Sequence, residues 1–408
     1  MRLSSTRRWN TRAGTAAVLL SLQALGSPGA AVAIDYAVQE ISVAGRSHQV
    51  RLPRGYRLEL LTTRLEGPRL LTFADNGDLL LGSKSGKVYR LAPPYRRPEV
   101  LVSLPDYPHS VALREGEIFI ARTTGLYRAA YRSGQRRLEA DRLSLVAPLP
   151  GGGGHTSRTV HRGPDGRLYV SLGISGNCSD QYLGADTPFS DRRGGILVLD
   201  ESVDPPRLEP FASGLRNPVG FDWHPETGVL YASNNGPDHL GYERPPEYFS
   251  RVTPGSFHGM PWFQFDGERL RRDRCIDRPP PRPAADVVTP VATFPARSAP
   301  MGVAFVPEGA LDERFENDAI VALHGSWGTR PSGGAFGDPA TRRPPKLVRV
   351  RFKEGRAGAV EDLVSGFQLD TGERWARPVG VAPGPDGALY FTSDGGAHAL
   401  YRLRPLER

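Results

Sequence analysis

The sequence predicts an all-β chain folded as a six-bladed β-propeller, with long inter-strand loops over one mouth of the channel. Three observations support this prediction: six copies of one strand-turn-strand pattern, Asp-Gly or Asn-Gly signals between apolar runs, and abundant glycine (47) and proline (38) without a short period. Asp-Gly and Asn-Gly between alternating apolar runs are strong hairpin signals. Repetition of such a unit indicates a repeat architecture.

The clearest copy of the repeat lies near the C-terminus, where Pro378–Asp394 is followed by the apolar run Ala399–Leu403. The other five copies have their strands at 70–82 with 86–90, 110–121 with 125–128, 159–171 with 195–200, 218–233, and 301–307 with 317–323 and 346–351. One such unit cannot bury its apolar faces, whereas six units arranged radially bury them against each other. A two-sheet sandwich would explain the hairpins but not six copies of one motif.

The N-terminus has the pattern of a secretory signal peptide. A basic segment containing Arg7-Arg8 precedes the apolar run Thr15–Gly26 and the small-x-small cleavage site Ala31–Ala33. The apolar run is too short to span a hydrocarbon core of about 30 Å. We therefore expect a signal peptide over residues 1–33, a propeller domain over residues 34–408, and a periplasmic or secreted protein. A retained membrane anchor is the alternative, and Sec and twin-arginine export both stay open.

The composition excludes two classes of partner. The formal net charge is +8, but the basic residues are scattered, and no basic helix or nucleic-acid-binding motif is present. No later segment is long and apolar enough for stable membrane insertion.

The two cysteines, Cys178 and Cys275, are expected to form a disulfide that closes a long loop and contributes about 4–5 kcal/mol. Two separate thiols are the alternative; without a neighbouring histidine cluster the pair does not predict a zinc site.

Two segments place chemically active side chains directly before repeat strands. Gly151–Gly154 precedes His155, and glycine lets the backbone approach a ligand closely. Histidine is the side chain best matched to proton abstraction near neutral pH. Arg216 and Asn217 precede another repeat strand, and arginine can stabilise developing negative charge. The alternatives are a flexible loop with a surface histidine and a surface ion pair.

Two further segments suggest ligands for a metal and for an anion. Asn234–Asp238, Glu247 and Phe257–Pro261 offer turn carbonyls and carboxylates, which are the hard oxygen donors that calcium prefers. They lack the alternating acidic pattern of an EF-hand loop. His324–Trp327 and Arg374–Arg377 could surround an anionic aromatic ligand.

Taken together and in this order, these segments resemble the soluble quinoprotein glucose and sorbosone dehydrogenase family, and the sorbosone and aldose branch more than the glucose enzymes. The resemblance covers nearly the whole chain after residue 54. The motifs that carry it are His155-Thr-Ser-Arg158, Gly214-Leu-Arg-Asn-Pro218, Asn235-Gly-Pro-Asp238 with Pro245-Pro-Glu247, and His324-Gly-Ser-Trp327.

The resemblance implies a dehydrogenase that oxidises a sugar or related alcohol with pyrroloquinoline quinone (PQQ) and Ca²⁺ over the channel mouth. His155 would be the general base, Arg216 would stabilise charge on the quinone, and Asn217 would contact the cofactor. His109 would face the active site. The backbone carbonyls expected to hold calcium are those of Gly236, Pro237 and His258. The side chains expected to hold the cofactor's carboxylates are Arg377, His324, Lys346 and Trp375.

The sequence departs from the family pattern at the group that orients the base. The glucose enzymes carry an aspartate where this chain reads Leu172-Gly173-Ile174, so the partner of His155 is not identified from the sequence. A cofactor-binding lysine is also replaced near His324, and Trp375 stands where a second arginine is expected.

Two other functions fit parts of the pattern. A propeller can bind a ligand or partner without turnover, because fold does not fix function. A metal-dependent lactonase would need a carboxylate cluster on the axis, for which the sequence offers only Asp238 and Glu247.

No Cys-x-x-Cys-His haem motif is present, so a dehydrogenase would pass electrons to an external acceptor. The substrate, the acceptor and the oligomeric state are not determined by the sequence.

Overall fold

The structure, a computed structural model, describes residues 34–406. The predicted signal peptide therefore lies outside the described residues. The chain divides into two units, Met1–Asp35 and Tyr36–Arg408, and every strand below belongs to the second. Among residues 34–406 no helix is long and apolar enough to cross a membrane. The helices described there are single 3₁₀ turns, at Ala140–Arg142, Phe189–Asp191, Ala284–Asp286 and Pro339–Thr341.

The chain begins with a hairpin and one strand of the last blade, and then enters the first complete blade. The hairpin strands are β1 (Tyr36–Val43) and β2 (Arg46–Pro53). The strand that joins the last blade is β3 (Tyr56–Thr62). Blade 1 consists of β4 (Pro68–Phe73), β5 (Leu79–Ser83), β6 (Lys87–Leu91) and β7 (Glu99–Ser103).

Blades 2 and 3 follow as antiparallel meanders. Blade 2 consists of β8 (Ser110–Arg114), β9 (Glu117–Arg122), β10 (Gly125–Ala130) and β11 (Ser144–Pro148). Blade 3 consists of β12 (Arg158–Arg162), β13 (Leu168–Leu172), β14 (Gly195–Asp200) and β15 (Arg207–Ser213).

Blade 4 contains a long excursion between its third and fourth strands. Its first three strands are β16 (Phe221–Trp223), β17 (Leu230–Asn234) and β18 (Glu247–Val252). The excursion contains β19 (Ser256–Phe257), β20 (Phe263–Phe265) and β21 (Leu270–Arg272), and the fourth blade strand is β22 (Ala292–Phe294). The β19 segment adds a parallel strand to the edge of blade 3, and β20 and β21 pair as a separate hairpin.

The last two blades close the ring. Blade 5 consists of β23 (Pro300–Phe305), β24 (Ala319–Leu323), β25 (Lys346–Lys353) and β26 (Arg356–Val364). Blade 6 consists of β27 (Ala376–Pro383), the bent strand β28 (Leu389–Pro405), and β3 from the beginning of the domain. All six repeat copies are blades, and the predicted six-bladed β-propeller is confirmed.

The repeated Pro-Asp-Gly turn has one structure in two blades. In blade 3, Gly166 takes a φ of 79°, which glycine adopts without steric cost. The Asp165 carboxylate accepts hydrogen bonds from the Arg167 backbone N–H at 3.1 Å and from the Tyr169 hydroxyl at 2.8 Å. Asp386 and Tyr390 form the same 2.8 Å bond in blade 6. The turn residues therefore fix each hairpin locally, as the sequence pattern predicts.

The core lies between neighbouring blades. Leu80 and Val88 of blade 1 pack against Val111, Ile118 and Ile120 of blade 2, and all five are at most 2% exposed. Similar clusters fill the spaces between the other blades. Each blade therefore depends on its neighbours for burial of its apolar faces.

The ring is closed by pairing the start of the domain with its end. β3 pairs antiparallel with β28, so that Leu58 lies opposite Leu403 and Glu59 lies opposite Arg402. Arg402 also forms a 2.6 Å ion pair with Glu59. Closure makes β3 the outermost strand of blade 6, so the last blade is completed by the beginning of the domain.

Replacing Leu403, which is fully buried, by alanine should lower the free energy of unfolding by about 2–5 kcal/mol, because the change leaves a cavity at the closure. Leu145→Ala is the matched control, since that leucine is 52% exposed and a surface change shifts stability by about 0.5 kcal/mol or less. Urea unfolding followed by tryptophan fluorescence measures both. Equal destabilisation by the two variants would contradict this account of ring closure.

Candidate active site

The chemically active side chains gather at the mouth where the innermost strands begin. His155 stands three residues before β12, Arg216 and Asn217 stand shortly before β16, and Arg377 is the second residue of β27. The second strand of each blade ends at the same mouth, and there His324 directly follows β24. The antiparallel meander therefore brings residues distant in sequence into one region.

The ring of His155 is oriented by a backbone carbonyl. Its Nδ1–H donates to the Ile174 carbonyl at 2.5 Å, so Nε2 is the nitrogen left with a free lone pair. Burial, together with the nearby charge of Arg216, lowers the pKa of His155 to about 4. The Ile174 carbonyl is therefore the hydrogen-bond partner of the His155 ring, which the sequence did not reveal.

Two buried arginines hold the loop at residues 150–155, here called the glycine loop, in shape. Arg193 donates to the carbonyls of Gly152 at 2.7 Å, Gly154 at 3.0 Å and Gly173 at 2.9 Å. Arg158 donates to the His155 carbonyl at 2.7 Å. Both arginines are at most 1% exposed. Because these guanidinium groups occupy the loop carbonyls, the four-glycine segment is a fixed support for the histidine rather than a free tether.

A single small residue lets the three predicted active-site residues meet. A Cβ atom on Gly173 would lie 2.8 Å from the His155 Cβ, 2.7 Å from the Asn217 Oδ1 and 3.2 Å from the Arg216 carbonyl oxygen. The Ile174 N–H also donates to that Arg216 carbonyl at 2.8 Å. The structure therefore brings His155, Arg216 and Asn217 together around Gly173 and Ile174.

Arg216 is a buried cation that keeps part of its donor capacity. Its Nη2 donates to the Asn177 Oδ1 at 2.6 Å and lies 3.6 Å from the Asp238 carboxylate. Its Nη1 donates to the Asn235 carbonyl at 3.4 Å, while its buried Nε has no partner within the described chain. A buried donor without a partner is costly, so this side chain is suited to a ligand with acceptor oxygens.

The candidate calcium carbonyls differ in how free they are. The Gly236 N–H donates to the buried Glu247 carboxylate at 2.5 Å, and among residues 34–406 no donor is described for the Gly236 carbonyl. The Pro237 carbonyl accepts from the guanidinium of Arg297, which also donates to the Asp238 Oδ1 at 2.8 Å. A calcium ion at Pro237 would therefore have to compete with Arg297, and the donor set fits calcium only in part.

His258 is the third residue whose carbonyl is expected to hold calcium, and its N–H and its ring both have partners within the domain. Its N–H donates to the Ser213 carbonyl at 2.9 Å, and its ring contacts the Ser256 hydroxyl at 3.0 Å. The residue lines a separate cavity with Tyr248 and Phe265. Its assignment as a calcium ligand stays a prediction.

A second group of charges surrounds Asp394. This carboxylate contacts Arg69 at 2.6 Å, Lys84 at 2.8 Å and the His324 Nε2 at 2.6 Å. Arg377 completes the group and donates to the His324 carbonyl at 3.0 Å. Burial raises the pKa of Asp394, but the His324 hydrogen bond and the Arg69 charge outweigh it and hold that pKa well below its usual range.

The Asp394 cluster has a net positive charge. Burial lowers the pKa of His324 to about 4, so the neutral ring donates Nε2–H to the carboxylate. Three cations therefore face one carboxylate, and the buried Arg69 Nε has no partner within the described chain. The sequence pattern does not single out Arg69, Lys84 or Asp394 as site residues, because each lies in an ordinary repeat strand or turn. Only the tertiary structure brings them together.

His109 lies beneath the mouth and links the two groups. The residue is fully buried, its Nδ1–H donates to the Arg158 carbonyl at 3.1 Å, and its Nε2 lies 3.4 Å from the Arg69 guanidinium. Because Arg158 also binds the His155 carbonyl, a buried polar chain runs from the Asp394 cluster to His155. The structure thus places His109 next to cofactor-binding candidates but not on an exposed surface.

Lys346 and Trp375 have other partners. The Lys346 Nζ forms a 2.7 Å ion pair with Asp362 on the neighbouring strand. Trp375 is 5% exposed, stacks on His48 with ring centroids 4.7 Å apart, and donates to the Gly366 carbonyl at 2.8 Å. Neither side chain contacts the Asp394 cluster in the described structure, and their cofactor roles stay predictions.

The expected disulfide is not formed. Cys178 and Cys275 are both free thiols, although their sulfur atoms lie within 4.8 Å of each other. The imidazole of His239, brought in from another loop, lies against the Cys178 sulfur at 3.5 Å. No local sequence pattern indicates this histidine, because it is 61 residues from Cys178 along the chain.

Comparison with known proteins agrees with the fold and the motif order. The TrAA12-like family matches residues 50–255, which is half of the chain. This chain belongs to the TrAA12-like family. The relationship to soluble quinoprotein sugar dehydrogenases that the motifs indicated is confirmed.

Solved structures and a relative of known sequence match nearly the whole chain. An iodide structure of Trichoderma reesei Carbohydrate-Active Enzymes Family AA12 is 18% identical, covers 92% of this chain and 99% of its own, and has a TM-score of 0.72. The holo pyranose dehydrogenase PQQ domain of Coprinopsis cinerea is 18% identical, covers 88% and 97%, and has a TM-score of 0.67. An uncharacterized Borreliella burgdorferi protein is 22% identical over 90% of this chain and 94% of its own. The structural matches show the propeller fold.

The mouth of this TrAA12-like chain fits an anionic cofactor. Arg69 and Arg216 each carry a buried Nε without a described partner, and Lys84 and Arg377 add two further cations. Such an arrangement suits a planar ligand with several carboxylates, because charge-assisted hydrogen bonds to arginine are strong and directional. The residues present therefore fit PQQ better than they fit a calcium ion.

Gly173→Ala should disrupt this site with little loss of fold, since the added methyl group would overlap His155 and Asn217 at 2.8 and 2.7 Å. We expect cofactor-dependent activity to fall at least about 100-fold, because small displacements of catalytic groups cost that much. Gly358→Ala is the matched control, as its new Cβ would meet nothing closer than 3.7 Å. Dye-reduction assays and thermal unfolding measure the two effects; full activity in Gly173→Ala would show that the three residues do not act together.

Proposed function

We propose that this protein is a PQQ-dependent dehydrogenase that oxidises a sugar or related alcohol and passes the electrons to an external acceptor. Membership in the TrAA12-like family supports the proposal, and the matched Coprinopsis cinerea protein is described as the PQQ domain of a pyranose dehydrogenase. We further propose that the protein works in the periplasm or outside the cell, on the basis of the N-terminal sequence pattern.

The observation that carries the proposal is the state of His155. Its Nδ1–H is committed to the Ile174 carbonyl, and its pKa is lowered to about 4, so Nε2 is an available proton acceptor at neutral pH. The fixed cation Arg216 lies beside it, and the positive Asp394 cluster lies across the mouth. A neutral, oriented imidazole next to a buried cation is the arrangement expected of a general base.

When bound, PQQ supplies the two-electron acceptor and Ca²⁺ supplies Lewis acidity. The Arg69, Lys84 and Arg377 cations would hold the cofactor's carboxylates, and the Asn217 amide would contact the cofactor. His155 Nε2 would take the proton of the substrate hydroxyl. Arg216 would stabilise the negative charge that develops next to it, in a site where burial strengthens such interactions.

We propose that calcium binds beside the loop at residues 235–238. The Gly236 carbonyl, the Asp238 carboxylate and the buried Glu247 carboxylate supply hard oxygens of the kind that calcium prefers. Burial raises the pKa of Glu247 to about 7. A divalent cation next to this carboxylate would favour its ionised form, so cofactor binding and the charge of this loop are expected to depend on each other.

The structure gives the alternatives less support. A lactonase would need several carboxylates converging on one metal, but within residues 34–406 the one group of three or more potential ligands is Cys178, His239 and Cys275. A non-catalytic propeller would have no need of a buried histidine whose one ring nitrogen is fixed and whose other is left as an acceptor.

Two variants with opposite signatures test the function. The protein is reconstituted with PQQ and Ca²⁺, and dye reduction is followed with a panel of aldoses and alcohols. His155→Ala should abolish turnover but keep PQQ affinity, whereas Arg377→Gln should raise the Kd for PQQ about tenfold or more, as expected for loss of a charge-assisted bond. Arg207→Gln is the control, since this arginine has a 63% exposed side chain on the outer strand of blade 3.

The outcomes separate the hypotheses. Calcium-dependent turnover that His155→Ala loses would support the dehydrogenase. PQQ binding that is unaffected by Arg377→Gln would remove the Asp394 cluster from the cofactor site. Failure of the wild-type protein to bind PQQ, with or without a calcium chelator, would favour the non-catalytic propeller.

The activity of the proposed enzyme should persist in acid. Because the pKa of His155 in the folded protein is about 4, below the ordinary value of about 6.5, the base stays neutral as the pH falls through 6.5. We expect kcat/KM to fall on the acid side only well below pH 6.5. In Arg216→Gln this fall should begin at a higher pH, because Arg216 lowers the pKa of His155. Because the unfolded chain binds a proton at His155 more readily than the folded chain, folding stability should decrease as the pH falls from about 6.5 to about 4. The loss then remains at lower pH. An unchanged acid-side fall of kcat/KM in Arg216→Gln would show that the two side chains are not coupled.

A further inference from the structure

Three side chains from different loops form a compact group beside the proposed active site. Cys178 lies between β13 and β14, His239 lies between β17 and β18, and Cys275 follows β21. One ligand atom from each, two sulfurs and an imidazole nitrogen, lies within 4.8 Å of the others. Two thiols and an imidazole form a donor set that zinc prefers.

The spacing of two ligand atoms in this group matches metal coordination. The Cys178 sulfur and the His239 Nδ1 are 3.5 Å apart. A tetrahedral zinc ion with Zn–S bonds of about 2.3 Å and Zn–N bonds of about 2.0–2.1 Å holds these two atoms roughly 3.5 Å apart. The two ligand atoms are therefore already at the separation that a shared zinc ion requires.

A buried carboxylate orients the group. The Asp273 Oδ2 lies 3.0 Å from the His239 Nε2, and its Oδ1 accepts a 3.0 Å hydrogen bond from the Cys275 backbone N–H. Gln264 donates to the same carboxylate at 3.3 Å, and Asp273 is 6% exposed. A carboxylate on one ring nitrogen fixes the tautomer and directs the other nitrogen toward a metal. Here that other nitrogen is Nδ1, which faces the Cys178 sulfur.

The group also has room for a fourth ligand and a path of entry. A cavity of about 570 Å³ opens on it and is lined by His239, Gln264, Asp273 and Cys275. Zinc sites with three protein ligands take water or another small ligand at the fourth position. An open cavity on one side of the group meets this requirement.

We propose that Cys178, His239 and Cys275 form a binding site for Zn²⁺, with Asp273 as its positioning carboxylate. The metal joins the loop after β13 to the excursion of blade 4. Asn177, the neighbour of Cys178, accepts hydrogen bonds from the Asp238 N–H at 2.9 Å and from Arg216 at 2.6 Å. The zinc ion would thus fasten the loops that support the proposed active site, although the site itself does not depend on PQQ chemistry.

The test measures metal content in the full protein purified without reductant. After chelation, incubation with Zn²⁺ and desalting, elemental analysis should find one zinc ion per chain, and a hundredfold excess of Ca²⁺ should not displace it. Cys178→Ser, Cys275→Ser and His239→Ala should each reduce zinc to background, while His398→Ala, which replaces another exposed histidine, should not. Asp273→Asn should weaken zinc binding about 10- to 100-fold.

Two measurements keep the outcome clear where a variant folds poorly. Co²⁺ bound to the wild-type protein should give thiolate-to-metal charge-transfer absorption, and thiol titration of the denatured, chelated protein should find both cysteines reduced. A disulfide with no bound zinc, or two free thiols that bind no zinc, would overturn the proposal. Because metal content is read without PQQ or substrate, failure of the proposed dehydrogenase function leaves this result unaffected.

Discussion

Burial of apolar surface between neighbouring blades is the constraint on which the rest of the structure depends. No blade can cover both of its own faces, so the ring is stable only when all six are present and the last is completed by β3. Pairing of β3 with β28 thereby joins the beginning of the domain to its last blade and closes the ring. The site residues sit at the ends of blade strands, so their mutual positions follow from packing far below the mouth.

Buried arginines then convert flexible loops into a rigid support. Arg158 and Arg193 lie within the domain with almost no exposure, and the backbone carbonyls of the glycine loop supply most of their acceptors. Burying a charge is costly unless it is hydrogen-bonded, and here several carbonyls meet that requirement at once. Desolvation, with the charges of Arg216 and Arg193, lowers the pKa of His155. Arg193 therefore acts both on the shape of the loop and on the protonation state of His155.

The mouth combines two kinds of ligand chemistry on opposite sides. The cluster of Arg69, Lys84, Arg377 and Asp394 presents net positive charge from blades 1 and 6. The loops of blades 3 and 4 present carbonyls, carboxylates and thiols, which attract cations instead. An anionic cofactor and one or more metal ions could therefore be held side by side without competing for the same groups.

The sequence by itself determined the fold, because Asp-Gly turns, strand alternation and the six-fold repeat are local signals. It also singled out His155, Arg216, Asn217 and Arg377 as candidates, because they stand next to recognisable repeat strands; their roles stay predictions. Only the tertiary structure decided that the Ile174 carbonyl orients His155, that Asp394 gathers Arg69 and Lys84, and that His239 lies close to both cysteines. These contacts join residues that are distant in sequence, and their geometry is set by blade pairing and loop packing, which no local pattern encodes.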